Sequence, residues 1–275
     1  MSGSQRIWNL LSRMGLGRRG FVTPYAYLDA SPWAVPDYPE VRAIFDAQRP
    51  SFRAFLADIH AQEARFAAFD QGDAPRPEWQ SSYLSPLDGA AIYTAVARWR
   101  PARILEIGSG NSTHFMARAA LDNATGTRIT CIDPAPRIGI ETLPVTFRRR
   151  VLSIADVPLA EELTASDILF IDGSHLLQQG FDLDILLNRM FPRLKSGVIV
   201  HLHDIYLPYP YPAEWEGARW NEQTALIGWL LSGAFRPELS TYFVHRDMAA
   251  DLAPICPALP MISASGGGSL WLSRA

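Results

Sequence analysis

Two short runs in this chain carry side chains that packing does not require. Asp172-Gly173-Ser174-His175 follows the apolar Ile168-Leu169-Phe170-Ile171, and His201-Leu202-His203-Asp204 follows Val198-Ile199-Val200. Asp172 and Asp204 suit a hard divalent cation, magnesium first, with water completing its shell; an imidazole from His203 would tilt the choice toward zinc, iron or manganese. His175, whose ring titrates near about 6.5 when unperturbed, is a candidate proton acceptor, although capping the next helix would also use it. Alternation along a strand puts His201 and His203 on one face and Asp204 on the other. A ligand set holding both His203 and Asp204 therefore requires the strand to end between them.

A third cluster is Glu106-Ile107-Gly108-Ser109-Gly110-Asn111-Ser112-Thr113, which turns from an apolar run into a helical one. Its two glycines let a ligand approach the backbone. A dinucleotide fingerprint wants glycine or alanine at 113 and does not ask for an acid at 106, so Thr113 and Glu106 argue against a nicotinamide cofactor. Asp133, at the end of Ile129-Thr130-Cys131-Ile132, can accept hydrogen bonds from both hydroxyls of a ribose. Glu106 and Asp133 together place negative charge where a pyrophosphate would be repelled and a cationic adenosine derivative, a sulfonium, would be welcome.

These clusters need a scaffold that brings several strand ends together. Apolar runs at Arg103–Ile107, Ile129–Ile132, Ile168–Ile171 and Val198–Val200 read as buried strands, alternating with helices at Ser112–Leu121 and about Leu177–Met190. Another helix runs from about Asp88, with Ile92, Val96 and Trp99 on one face, and ends before Pro101. The expected fold is α/β: a doubly wound, mostly parallel sheet of Rossmann-like type with N-terminal helices. Thr241–His245 and Ser269–Leu272 read as a C-terminal antiparallel strand pair with no strong helix between them, and Gly266-Gly267-Gly268 as a turn before the last strand. The domain reading is a tail at 1–35, a helical preface and linker at 36–82, and a single domain at 83–275.

Over roughly residues 83–273, through Glu106-x-Gly108-x-Gly110 and the acid Asp133 after the next strand, the chain resembles the class I S-adenosylmethionine-dependent methyltransferases. The resemblance implies that Glu106, Gly108, Gly110 and Ser112 cradle the cofactor and that Asp133 holds its ribose. Ala155 and Asp156 would border the adenine, a helix N-cap being the other use for Asp156. Asp172 would stand among both the cofactor contacts and the metal ligands. Asp172 and Asp204 are similar to the metal-binding acids of the catechol O-methyltransferase branch. That branch has a lysine base where this chain has His175, and an asparagine ligand where this chain has Ile205. The run 197–222, with Phe170–His175, also resembles a group of largely uncharacterised bacterial methyltransferases. The implied catalytic set is His175, Asp172 and Asp204; the implied metal set is Asp172, Asp204 and His203.

The prolines and aromatics of residues 204–212, followed by Trp215, Trp220, Asn221 and Glu222, read as a lid over the substrate, with Trp79, Tyr83 and Tyr93 as further wall candidates. The expected acceptor is a small hydroxylated molecule, and N-methylation would use the same crevice. With 275 residues, 48% of them hydrophobic, and a net charge of −3, nothing draws the chain to phosphate backbones, so nucleic acid is not an expected partner. Cys131 and Cys256 match no metal or redox spacing. No apolar run is long enough for a membrane span and no secretory signal is legible, which places the protein in the cytoplasm; a homodimer stays open. Arg6, Arg13, Arg18 and Arg19, interleaved with apolar residues, outline either a basic amphipathic helix or a frayed tail. Three other classes remain: a metal-dependent hydrolase using His201, His203 and Asp204; a nicotinamide-dependent oxidoreductase; and a cofactor-binding protein without turnover, or a cyclase that uses the sulfonium only for its charge.

Overall fold

The computed structural model describes residues 35–69, 75–213, 215 and 220–275, together with Ile7, Leu10, Leu11 and Met14. The basic N-terminal helix, but for those four residues, and positions 71–74 of the linker lie outside the described residues. The preface forms α1 (Pro39–Ala47) and α2 (Arg49–Ala61), each opened by a proline in its first turn, where the missing N–H costs nothing. Helix α3 (Pro86–Trp99) is capped by Ser85, whose Oγ accepts from the Asp88 N–H.

The sheet follows: β1 (Arg103–Ile107), α4 (Asn111–Asp122), β2 (Arg128–Ile132), β3 (Thr146–Arg148), β4 (Ile168–Ile171), α5 (Asp182–Ile185), β5 (Ile199–Leu202), α6 (Glu222–Leu231), β6 (Phe235–Ser240), α7 (Thr241–Asp247) and β7 (Leu270–Arg274). Its order is β3-β2-β1-β4-β5-β7-β6. Strands β1 to β5 run parallel, whereas β7 lies antiparallel to both β5 and β6. The order reverses between β1 and β4, and the crevice at such a switch point is where ligands of open α/β sheets settle. Strand β4 is buried at every position, as a strand with both faces covered must be.

The C-terminal pairing is as expected in kind but not in place. Thr241–His245, whose Thr, Val and aromatic residues favour strands, is helical: Ser240 Oγ caps it by accepting from Phe243 N–H at 3.2 Å. Phe243 then packs edge-on against Phe45 and Phe52 of the preface, and that tertiary burial overrides β propensity. Three short helices, not an irregular link, separate β6 from β7. The helix expected from Leu177 begins only at Asp182, because Gly180 takes a left-handed turn at φ 81 and Leu177 N–H is held by Asn221 Oδ1 at 2.7 Å. Leu183, Leu186, Leu187 and Met190 are buried as the expected stripe, although Leu186–Met190 winds as a π-helix. The preface packs on the C-terminal half, with Arg42 paired to Asp247 at 3.0 Å and Ser51 Oγ bonded to Glu238 Oε2 at 3.1 Å. Among the described residues no helix is long and apolar enough to cross a membrane.

Candidate active site

A cavity of about 920 Å3 opens at the C-terminal ends of the central strands, within the range of small-molecule sites. Gly108 and Ser109 after β1, Asp133 after β2, Asp172 to His175 after β4, and His203 and Asp204 after β5 all line it. Gly108 sits at φ 81, and a Cβ there would fall 1.8 Å from the Asp172 carbonyl oxygen. This glycine is therefore required by the crossing of two strand-end backbones, before any ligand is considered. At Gly110, by contrast, a Cβ would meet nothing.

Glu106 does not line the cavity. Its carboxylate is fully buried and receives Ser112 Oγ and Thr113 Oγ1, each at 2.7 Å, and the Cys131 thiol at 3.0 Å. Thr113 Oγ1 in turn accepts the Gly110 N–H at 3.1 Å. Thr113, the residue that breaks the dinucleotide pattern, thus links the buried acid to the glycine loop. Burial pushes the Glu106 carboxyl up to about 7, against those three hydrogen bonds. Glu106 and Ser112 accordingly shape the loop from behind, and the negative charge facing the cavity comes from Asp133, Asp172, Asp182 and Asp204 instead. Asp133 lies on the wall, with Oδ2 accepting from Ser109 N–H and Oδ1 from Ala135 N–H, both at 2.7 Å. Ser109 Oγ also donates to Oδ2 at 3.3 Å, so Oδ1 keeps one lone pair for a ligand and Oδ2 gains one when that hydroxyl turns away.

Asp156 is not brought to the cavity. Arg150 holds it through two contacts of 2.6 Å, and Ser153 donates from N and Oγ at 3.0 Å each. The Arg150 guanidinium holds the Asp156 carboxyl at about 2. Asp156 is not the N-cap either: Ser153 holds that place and Asp156 is the third residue of the short helix, so the wall there is made by Val151 and Leu152, which carry no sequence signal beyond being apolar.

At the opposite end four side chains converge. Strand β5 stops at Leu202, and Asp204 turns into the left-handed region at φ 56, the break that a joint His203–Asp204 set required. Asp172, His203 and Asp204 each offer a ligand atom within 4.8 Å of the others. His175, also left-handed at φ 59, points Nε2 at Asp172 Oδ1 and Asp204 Oδ2, 3.6 Å from each. Its Nδ1 lies 2.8 Å from Glu222 Oε2. Trp220 covers the ring at 4.1 Å between centroids, and Asn221 N–H bonds the His175 carbonyl at 3.1 Å. Gly173 leaves room for Asp182, whose carboxylate takes the Ser174 N–H at 2.7 Å. The loop bearing Asp172 and His175 is thereby tied at both ends.

Charge in this cluster is balanced by pairing. Burial works against a charged His203, yet Asp172, Asp88 and Asp204 push its pKa up to about 10. Burial likewise opposes a charged His175, and Glu222, Asp172 and Asp204 still hold it above its ordinary value. Burial also moves the Asp204 carboxyl upward, against the pull of both histidines. His201 stands apart: it stacks on Phe170 at 3.9 Å and bonds Ser269 Oγ at 2.9 Å. Burial drives its pKa well below the usual value, so it is a neutral core ring. The His201–His203–Asp204 set of a hydrolase is not assembled.

Of the aromatic candidates, Tyr83, Trp215 and Trp220 line the cavity. Trp79 stacks on Phe69, and Tyr93 donates its hydroxyl to Asp122 at 2.9 Å; both are packing. Tyr209 donates to Asp247 at 2.6 Å, and Tyr211 accepts from Gln223 N–H at 3.2 Å. Sequence reasoning missed Asp88, which stands 3.6 Å from His203 Nε2. It took Glu222 for a lid residue.

Residues 105–205 match the model of a family described as a methyltransferase domain. Over this stretch the chain is similar to methyltransferase domains. The matched stretch contains the glycine loop, Asp133, Asp172, His175, His203 and Asp204. Among solved structures, a proposed O-methyltransferase from Klebsiella pneumoniae is similar at 14% identity, covering 99% of each chain with a TM-score of 0.47. The S-adenosylhomocysteine-bound methyltransferase PaMTH1 of Podospora anserina is 14% identical over 93% of this chain and 99% of its own, with a TM-score of 0.42. Cofactor-bound Rv0187 from MTB is 16% identical over 87% and 98%, with a TM-score of 0.43. No curated protein matches the chain.

Proposed function

We propose that this methyltransferase moves the methyl group of S-adenosylmethionine onto an oxygen of a small hydroxylated molecule, at a centre where Asp172, Asp204 and His203 hold a divalent cation and His175 takes the proton. The observation that carries the reading is the position of His175 Nε2, 3.6 Å from both Asp172 and Asp204, in the same cavity as Gly108 and Asp133. An acceptor oxygen seated between those groups lies within reach of a base on one side and of the methyl donor on the other, as an in-line displacement demands.

The cofactor fits the residues present. Asp133 offers two oxygens to the ribose hydroxyls, the Gly108–Ser109 backbone is open to the methionine portion, and Val151 and Leu152 give an apolar border to the adenine. The metal set fits as well: two carboxylates and one imidazole face a common point. A divalent cation bound there would lower the pKa of the acceptor hydroxyl. His175 removes the proton at Nε2 while Glu222 fixes the ring through Nδ1, in the manner of a carboxylate–histidine pair. Trp220 closes the outer face of that ring and excludes water. The carbon–sulfur bond breaks as the carbon–oxygen bond forms, and the proton rests on His175. The net charge of −3 supports a small acceptor over nucleic acid, and the same reading keeps the protein in the cytoplasm, as a monomer or homodimer.

The test is transfer of labelled methyl from S-adenosylmethionine to a panel of phenols, sugars and amines, with and without magnesium or manganese. O-methylated product that disappears in Asp172→Asn and in Asp204→Asn supports the proposal. Product from amines alone would replace it with N-methylation.

A further inference from the structure

Asp88 is a carboxylate to which the methyl-transfer scheme gives no task. It lies on α3 and is fully buried, yet donors converge on it from distant parts of the chain. Ser85 Oγ donates at 2.8 Å and Thr241 Oγ1 at 2.7 Å, while the Gly268 and Ser269 N–H groups donate at 3.0 and 3.1 Å. A side chain at Gly267 would fall 2.6 Å from Asp88 Oδ1. The glycine run before β7 is thus built around this carboxylate and is more than a turn.

Capping α3 needs only Ser85, and an ionised carboxylate is costly to bury unless a charge or a hydrogen-bond donor answers it. The titratable ring within reach is His203. Its Nε2 is buried, makes no hydrogen bond, and stands 3.6 Å from Asp88 Oδ2, just beyond bonding length. Its Nδ1 is turned the other way, 3.6 Å from Asp204 Oδ1 and 3.8 Å from Asp172 Oδ1.

We propose that Asp88 is a positioning residue for His203: it takes the Nε2–H of the imidazole and so leaves the Nδ1 lone pair directed at Asp172 and Asp204, where the ring serves as third ligand of a divalent cation. The inference rests on the metal reading above and adds to it the residue that sets the tautomer. Histidine ligands usually give their second N–H to an oxygen acceptor, and losing that acceptor weakens metal binding by about 10- to 100-fold. Asp88 also reaches His203 from α3, outside the strand-end loops, so the N-terminal half of the chain takes part in the centre.

The experiment titrates the full-length protein with cobalt(II), whose visible absorption reports nitrogen ligation, in wild type, Asp88→Asn, His203→Gln and the double variant, with circular dichroism and thermal melting as controls for folding. Asp88→Asn is expected to weaken cobalt about 10- to 100-fold and to add nothing in the His203→Gln background, since the two residues act as one unit. A folded Asp88→Asn protein within about twofold of wild type, or an equal loss on top of His203→Gln, overturns the inference and leaves the metal reading standing. Should Asp88→Asn fail to fold, histidine-ring 1H–15N spectra of the wild type loaded with zinc decide: metal on Nδ1 and a proton on Nε2 of His203 are expected, and the reverse tautomer or an unperturbed ring overturns the inference. A wild type that takes up neither cobalt nor zinc removes the metal reading and this inference together.

Discussion

His175 Nδ1 lies 2.8 Å from Glu222 Oε2, in a contact buried on both sides, while Nε2 of the same ring faces Asp172 and Asp204. One carboxylate orients the imidazole and two others mark where the acceptor must sit. Replacing Glu222 by Gln keeps the shape but removes the charge that fixes the ring. Turnover is expected to fall by about 100-fold with little change in the KM for S-adenosylmethionine, as initial rates at varied cofactor will check. A large rise in that KM with turnover unchanged would move Glu222 out of the proton-transfer role.

The two glycines of the loop are expected to respond differently. Gly108→Ala drives a methyl group into the Asp172 carbonyl at a left-handed φ, and a loss of about 2–4 kcal/mol in urea unfolding is expected. Gly110→Ala meets open space, so stability should stay within about 1 kcal/mol while cofactor affinity drops. Equal destabilisation by both would show that the loop's shape alone explains its glycines.

Glu106 gives a pH signature. Its folded pKa of about 7 lies above the ordinary carboxylate value, so the folded state holds this proton more tightly than the unfolded chain does. The associated stability is fully present below the unfolded value near about 4.3 and is lost as pH rises through about 7. Urea midpoints of the wild type should therefore fall relative to Glu106→Gln between about pH 5 and 8, by on the order of 2–3 kcal/mol in all. Parallel curves for the two proteins would contradict this.

Removing divalent cations is expected to abolish transfer to the acceptor while leaving S-adenosylmethionine binding intact, since Asp133 and the Gly108–Ser109 backbone are not among the Asp172, His203 and Asp204 ligand atoms. Dialysis against a chelator followed by metal add-back, read by both calorimetry and methyl transfer, checks the separation. Full activity after chelation would leave His175 and Glu222 to act without a metal.

The elements that frame the site were legible because their signals are local. Ile168–Ile171 is an unbroken apolar run with an acid behind it, and Gly108 and Gly110 interrupt a strand-to-helix passage; both patterns are complete within a few residues. Asp133, Asp172, His175, His203 and Asp204 stand out in the sequence because they follow such strand ends, and all of them line the cavity. Asp88 and Glu222 were not assigned their parts, because their partners are remote: Glu222 meets His175 across 47 positions and Asp88 meets Thr241 across 153. Asp88 also has an ordinary reading as the third residue of a capped helix, and Glu222 as the first of another. Thr241–His245 misled because β-branched content favours strands locally, whereas Ser240 and the aromatic cluster of Phe45, Phe52 and Phe243 decide for a helix. Asp156 misled because Arg150, six residues away, claims the carboxylate that a ligand would have used.

The central claim is that this cavity binds S-adenosylmethionine through Asp133. Isothermal titration of the full-length protein with S-adenosylmethionine and S-adenosylhomocysteine, with NADH alongside and Asp133→Ala as control, tests it most directly. Binding of the first two but not of NADH, lost in the folded variant, is the predicted result; no heat from either sulfur ligand, or binding indifferent to Asp133, would contradict the account.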